Sequence, residues 1–252
     1  MKRYIKMLLV FIIILALTKT AFAAPTNLQV PKVNISIDSA KTPKEYVDNV
    51  KLLILLTSLT FIPSIVLLMT SFTRIIVVLG FVRNALSTQQ SPPNQVLIGL
   101  ALFMTFFIMA PVYDKVNNTA IQPYIKGQIT QEQAIEIGSK PIKDFMLRQT
   151  REKDLALFYN AAKLDKPKDR YDVPFKILIP AFVISELKTA FQMGFMIFVP
   201  FIVIDMVVAS ILMSMGMFML PPVTISLPFK ILLFVLADGW HLVVKSLIES
   251  FI

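Results

Sequence analysis

Three long stretches of this chain carry no charged residue at all: residues 52–73, 84–113 and 206–229. No other feature restricts the fold as strongly. Each run is long enough to cross the roughly 30 Å hydrocarbon layer of a bilayer as a helix, although the second and third also hold polar or proline-rich segments. A soluble helical core can hide one such run; three together point to membrane-type helices. The composition agrees, with 56% hydrophobic and only 16% charged residues, too apolar for an ordinary soluble domain.

Several kinds of chemistry are excluded early. The chain has no cysteine, so disulfides and thiolate catalysis are ruled out. One histidine, His241, cannot found a zinc or iron cluster. His241 beside Trp240 reads as an interfacial or packing residue. No nucleophile triad, phosphate loop or paired carboxylate site is visible. The expectation is a non-enzyme with no cofactor and no metal. The net charge of +9 is spread without a dense basic block, which fits membrane topology and surface charge and gives no sign of nucleic-acid binding.

The start, MKRYIKMLLVFIIILALTKTAFAA, reads as a signal peptide over residues 1–23. Lys2, Arg3 and Lys6 form the basic region, residues 7–17 the apolar core, and Ala21-Phe22-Ala23 the cleavage site. An uncleaved first span is the alternative, and the apolar run is short for one. Residues 24–46 are polar and proline-marked, with VPKVNISID a short strand or extended arm.

Residues 47–110 read as a first helical hairpin. Its first helix is predicted over 47–83, kinked at Pro63, with Arg74 and Arg83 framing the last turns. The loop NALSTQQSPPNQ, broken by Pro92 and Pro93, is short enough for an antiparallel return. Its QQSPP turn has a polar face that either meets a partner or is solvated. The second helix is predicted from Pro93 to Met109. The two arginines bias this loop to the cytoplasm, in agreement with a mature N-terminus on the outer side.

Residues 111–175 change character, with 11 Lys and Arg against 9 Asp and Glu. They read as a small helical periplasmic domain. Thr130 with Gln133 resembles a capping box, and Ile135, Phe145, Met146, Leu155 and Phe158 supply an apolar seam. The segment is small for an independent core, so it is expected to pack on copies of itself or on partners. Residues 176–252 read as a second, kinked hairpin. A largely apolar stretch of more than forty residues, punctuated by Pro180 and Pro200 and carrying Glu186, Lys188 and Asp205, exceeds one simple span. It forms a kinked helix and a half or a helical hairpin. Asp238 and His241 interrupt the final helix.

The blocks TSFTRIIVVLGFVRNALSTQQSPPNQVLIGLALFMTFFIMAPV, PAFVISELKTAFQMGFMIFVPFIVIDMVVASILMSMGMFMLPP and LPFKILLFVLADGWHLV resemble the flagellar branch of the type III secretion export-gate subunit family. The resemblance covers nearly all of the mature chain and is loosest at 111–175. It implies an all-α, multi-pass protein of the bacterial inner membrane and flagellar basal body. It also implies several copies, five in the family, joined with two other small membrane subunits into a helical cone inside the basal-body ring. The hairpins are then largely lifted out of the bilayer plane. Unfolded rod, hook and filament proteins pass through the cone, and a methionine-rich loop narrows the pore.

On this sequence that loop corresponds to Met213, Met215, Met217, Phe218 and Met219, with Gly216 among them. Side chains at every second position spread around a helix axis, but in a loop or frayed turn they can converge. Met is unbranched and adaptable, so a ring of it can seal yet yield. Ordinary membrane-core methionine is the plainer reading, and copper on thioethers is disfavoured with no Cys or His nearby. Glu186 and Lys188 are two apart and do not face each other. Intersubunit salt bridges involving these two, Asp205, Arg74 and Arg83 are expected, with a proton pathway as the competing idea. Pro63, Pro180 and Pro200 read as kinks, and Pro221 and Pro222 as stops. The expected function is a pore-forming structural subunit of the flagellar export gate. The related injectisome subunit and a stand-alone solute or ion transporter are the alternatives; inverted repeats, the mark of a transporter, are not evident.

Overall fold

The computed structural model describes residues 43–88, 90–165, 167 and 169–251. The predicted signal peptide and the extended arm lie outside the described residues. Two compact units are distinguished, Met1–Leu56 and Thr57–Ile252. Among the described residues every regular element is helical, as expected for an all-α chain.

The first predicted helix is in fact two. α1 runs Pro43–Leu68 and passes through Pro63, while α2 runs Phe72–Ala85. The break falls at Met69–Ser71 and has a local cause. Thr70 Oγ1 donates to the Leu67 carbonyl at 2.7 Å and accepts the Phe72 amide at 3.3 Å. One hydroxyl thus ends one helix and begins the next, the competition with the backbone that Ser and Thr side chains offer.

α3 runs Asn94–Val116, seven residues beyond the predicted end at Met109. It then continues as a π-helical turn, Asn117–Ile121, and as α4, Gln122–Ile125. The stop comes at Gly127, whose φ of +68° places it in the left-handed region. There the amides of Gly127 and Gln128 bond back to Tyr124 and Pro123, a Schellman ending. The predicted polar segment therefore opens inside a continuous helix. α5, Gln131–Gln149, starts on the predicted capping box, with Thr130 Oγ1 accepting from the Gln133 amide and the Gln133 side chain accepting from the Thr130 amide. α6 runs Glu152–Ala161, followed by a 3₁₀ turn at Arg170–Asp172. Met146 is fully buried here with Phe145, Leu155 and Phe158 packed around it, but Ile135 of the expected seam stays exposed.

α7, Phe175–Ser214, is a single helix of 40 residues that includes Pro180 and Pro200. At 1.5 Å per residue it is about 60 Å long, twice the hydrocarbon thickness of a bilayer. After a loop, α8 runs Pro222–Leu236 and α9 Gly239–Glu249, bent by 62° at Asp238. Asp238 takes φ +50°, and His241 lies within α9 instead of interrupting it. Among the described residues, three helices can cross a membrane by length and composition, and the bent α8–α9 pair makes a fourth candidate.

The framework of the larger unit is α2 laid along α7. Ile75, Val78, Leu79 and Val82 are fully buried, the i, i+3, i+4, i+7 stripe of one helix face. Arg74 lies opposite Glu186, and Phe81 opposite Gly194, so the two helices run in the same direction. A Cβ at Gly194 would overlap the Phe81 ring, which is why this crossing requires glycine. α3 turns back from α2 and adds Leu97, Ala101 and Met104 to the same core.

Candidate functional site

Two polar clamps and one apolar loop stand out against this framework. The first clamp centres on Arg74, 2% exposed. Its Nε donates to Glu186 Oε2 at 3.0 Å, and its Nη2 donates to Glu186 Oε1 and to Gln149 Oε1 at 2.9 Å. Nη1 donates to the Ser250 carbonyl and hydroxyl, and the guanidinium lies over the Phe251 ring. All five donors of the planar fork are used. The residue ties α2 to α7, to the end of α5 and to the chain just after α9. Glu186 is fully buried. Expected to pair between subunits, Arg74 and Glu186 pair with each other inside one chain, since one helical turn of each faces the other across the α2–α7 contact.

The second clamp lies farther along α7. Lys230 of α8 donates to Asp205 Oδ2 at 2.6 Å and to Ser87 Oγ at 2.8 Å, while Ser226 Oγ donates to Asp205 Oδ1 at 2.5 Å. Lys230 is 2% exposed and its partner Asp205 31%, so the cation is buried while the carboxylate is only partly withdrawn from water. Asp205 thus also finds its partner within the chain. This clamp locks the α7–α8 hairpin and the loop after α2. Lys230 was not foreseen as a site residue. The signal was present, because it is the one charge between Asp205 and Asp238, and a lone cation in an apolar run requires an acid.

The other expected charges behave differently. Arg83 meets no carboxylate among the described residues; its Nη1 donates to Asn94 Oδ1 at 2.5 Å and to the Pro92 carbonyl at 3.4 Å, bracing the interhelical loop. Lys188 is exposed, one face round from Glu186, with Lys153 and Arg151 beside it. Arg151 itself bonds Thr189 and Gln192 of α7, and Ser185 links its amide to Asp154. These α6–α7 contacts left no periodic trace in the sequence.

The methionine loop is built at the far end of α7. Met213 remains in the last turn of that helix, which ends at Ser214. Gly216, at φ +75°, and Met217 bond back to the Met213 and Leu212 carbonyls at 3.0 Å each, a second Schellman ending. Glycine therefore stops the helix, not the prolines. Pro221 is the N-cap and Pro222 the first residue of α8, where a missing amide and a preset φ suit a helix start. Expected as stops, these two prolines begin a helix, and no helix end falls at Pro63, Pro180 or Pro200. Between the two caps, Met215 is 65%, Phe218 77% and Met219 97% exposed. A rigid hairpin thus holds its largest soft side chains outward, unpartnered within the chain.

The FliP family profile matches residues 55–247, a range that holds Arg74, Glu186, Asp205, Lys230 and the loop, while Ser250 and Phe251 of the first clamp lie just beyond it. The flagellar biosynthetic protein FliP of Bacillus subtilis (strain 168) is 61% identical over 217 residues, covering 86% of this chain and 98% of the relative. That of Pectobacterium carotovorum subsp. carotovorum is 59% identical over 203 residues, covering 81% and 79%. That of Aquifex aeolicus (strain VF5) is 49% identical over 225 residues, covering 88% and 92%. With the profile spanning most of the chain and the relatives matching nearly end to end, the chain belongs to the FliP family.

Proposed function

We propose that this chain is a pore-forming structural subunit of the flagellar type III protein export gate, needed for passage of unfolded flagellar rod, hook and filament proteins. It acts in several copies, five by family resemblance, with two other small membrane subunits, in the inner membrane at the basal body. It carries out no catalysis, and the energy for export comes from partners or from the proton gradient.

The observation that carries this reading is the loop from Met215 to Leu220. Exposed apolar side chains on a monomer mark a contact surface, and here they cap a hairpin stiffened by the Lys230–Asp205 ion pair. Brought together around an axis, one loop per copy makes a ring of thioethers and phenyl groups. Met side chains change rotamer at little cost, so such a ring excludes water and ions when empty and adapts to varied polypeptide side chains when occupied. The clamps supply what the loop lacks. Arg74 with Glu186 and Lys230 with Asp205 hold the wall while the tip gives way.

The test is deletion of residues 213–219 in the assembled complex. The shortened complex is expected to pass small ions that the intact one retains. A deleted complex that assembles and stays ion-tight overturns the gasket role.

A further inference from the structure

Among the described residues, two of the uncovered helix faces match each other. On α7, Lys188, Phe191, Phe195 and Val199 are all exposed. On α3, Asp114, Ala110, Phe107 and Phe103 are all exposed as well. Each set forms one stripe on its helix. Counted from the charge, the α7 positions fall at +3, +7 and +11, and the α3 positions at −4, −7 and −11.

The directions match too. α2 and α7 run the same way and α3 turns back from α2, so α3 and α7 are antiparallel. The charged ends of both stripes lie at the same end of the molecule, because α5 packs on both the end of α3 and the start of α7. Two copies with the same up-and-down orientation can therefore place α3 of one against α7 of the next. With Asp114 level with Lys188, Phe191 meets the small Ala110, Phe195 meets Phe107, and Val199 meets Phe103. The seven-residue steps from Lys188 to Phe195 and from Asp114 to Phe107 are both about 10 Å. Large opposes small nearest the charge, as interdigitating helix faces require.

Charge completes the match. Lys188 is surrounded by cations, Lys153 and Arg151, and the nearby Asp154 is already held by Ser185. Arg151 Nη1 is buried with no hydrogen-bond partner. A carboxylate arriving here is attracted by several positive groups at once. We infer that neighbouring copies of this chain join head to tail, α3 against α7, with Asp114 of one copy held by Lys188, Lys153 and Arg151 of the next. The contact is heterologous: each copy offers a different face to each neighbour. Repeated, it closes into a ring or climbs as a helix. The inference rests on the proposed assembly of several copies and adds its register.

The absence of native cysteine makes the test direct. Full-length Asp114→Cys and Lys188→Cys chains carrying different tags are co-expressed with the other gate subunits. The membranes are treated with a short bis-maleimide. A cross-linked product bearing both tags is expected, while Asp114→Cys with Val199→Cys, about 16 Å farther along α7, yields none. Asp114→Lys alone is expected to reduce the assembled particle several-fold, and adding Lys188→Asp to restore much of it. If the wild-type particle forms but the 114–188 pair gives no product, or the 114–199 pair gives an equal one, the register is overturned and the assembly stands. If the wild-type chain purifies with its partners only as a single copy, the proposed assembly falls and takes this contact with it.

Discussion

Arg74 and Met219 are the two extremes of the molecule, and each sits where its chemistry alone would not put it. The cation is 2% exposed and the thioether 97% exposed. Around Arg74, five hydrogen bonds and a ring face hold four chain segments in one geometry. Around Met219 the loop is held by backbone caps at its two ends, at Gly216 and Pro222. The lesson is a division of labour. Buried directional bonds, strong away from water, fix the helices, while the exposed loop is made of side chains with no directional demands, as the proposed gate function requires of its wall and its tip.

The contrast can be broken first at the clamp. Glu186→Gln or Arg74→Ala leaves one charge buried without its partner, which costs about 3–5 kcal/mol. Such chains are expected to fail to accumulate in membranes or to enter the gate complex. Replacing both, Arg74→Met with Glu186→Leu, should recover much of that yield, since apolar groups of similar size satisfy a buried site. A double variant as poor as either single one would mean that the pair serves more than the wall.

A smaller loss is expected at the helix crossing. Gly194→Ala pushes a methyl into the Phe81 ring, an overpacking cost of about 1–3 kcal/mol. Thermal unfolding of the purified complex measures it. Phe81→Leu in the same chain should relieve part of the loss, because a narrower side chain makes room. At the tip the effects shrink. Gly216→Ala forces a Cβ into left-handed backbone, worth about 1 kcal/mol, and should loosen the loop without dissociating the complex; raised protease sensitivity confined to residues 215–220 would register it. Met219→Ala should change stability by less than about 0.5 kcal/mol while raising ion leak through the complex. A large stability loss there would erase the contrast between wall and tip.

Much of this was legible in the residues. The charge-free runs announced the long helices, Thr130 and Gln133 the start of α5, and Met215 to Met219 the loop, with Met213 still in the helix before it. Boundaries were less legible. The first helix was expected to run on to Arg83 and instead broke at Thr70, because a threonine hydroxyl can take over the groups of two helix ends. The helix end near Met219 was assigned to Pro221 and Pro222. It belongs to Gly216, whose left-handed backbone is the stronger signal. The overrun of α3 past Met109 had no local warning, since neither Pro111 nor Asp114 is bound to end a helix.

What sequence alone determined was what each segment had to do with water. Apolar length, the one lone cation at Lys230 and the row of methionines are properties of composition and spacing, and they hold in any fold. Only the tertiary structure decided who meets whom. Arg74 and Glu186 are 112 residues apart, Ser87 and Lys230 143, and nothing periodic in a chain encodes a meeting at that separation. Their partnership follows from α2 lying along α7 in one register, and that register is set by a ring of Phe81 against a glycine that has no side chain to resist it.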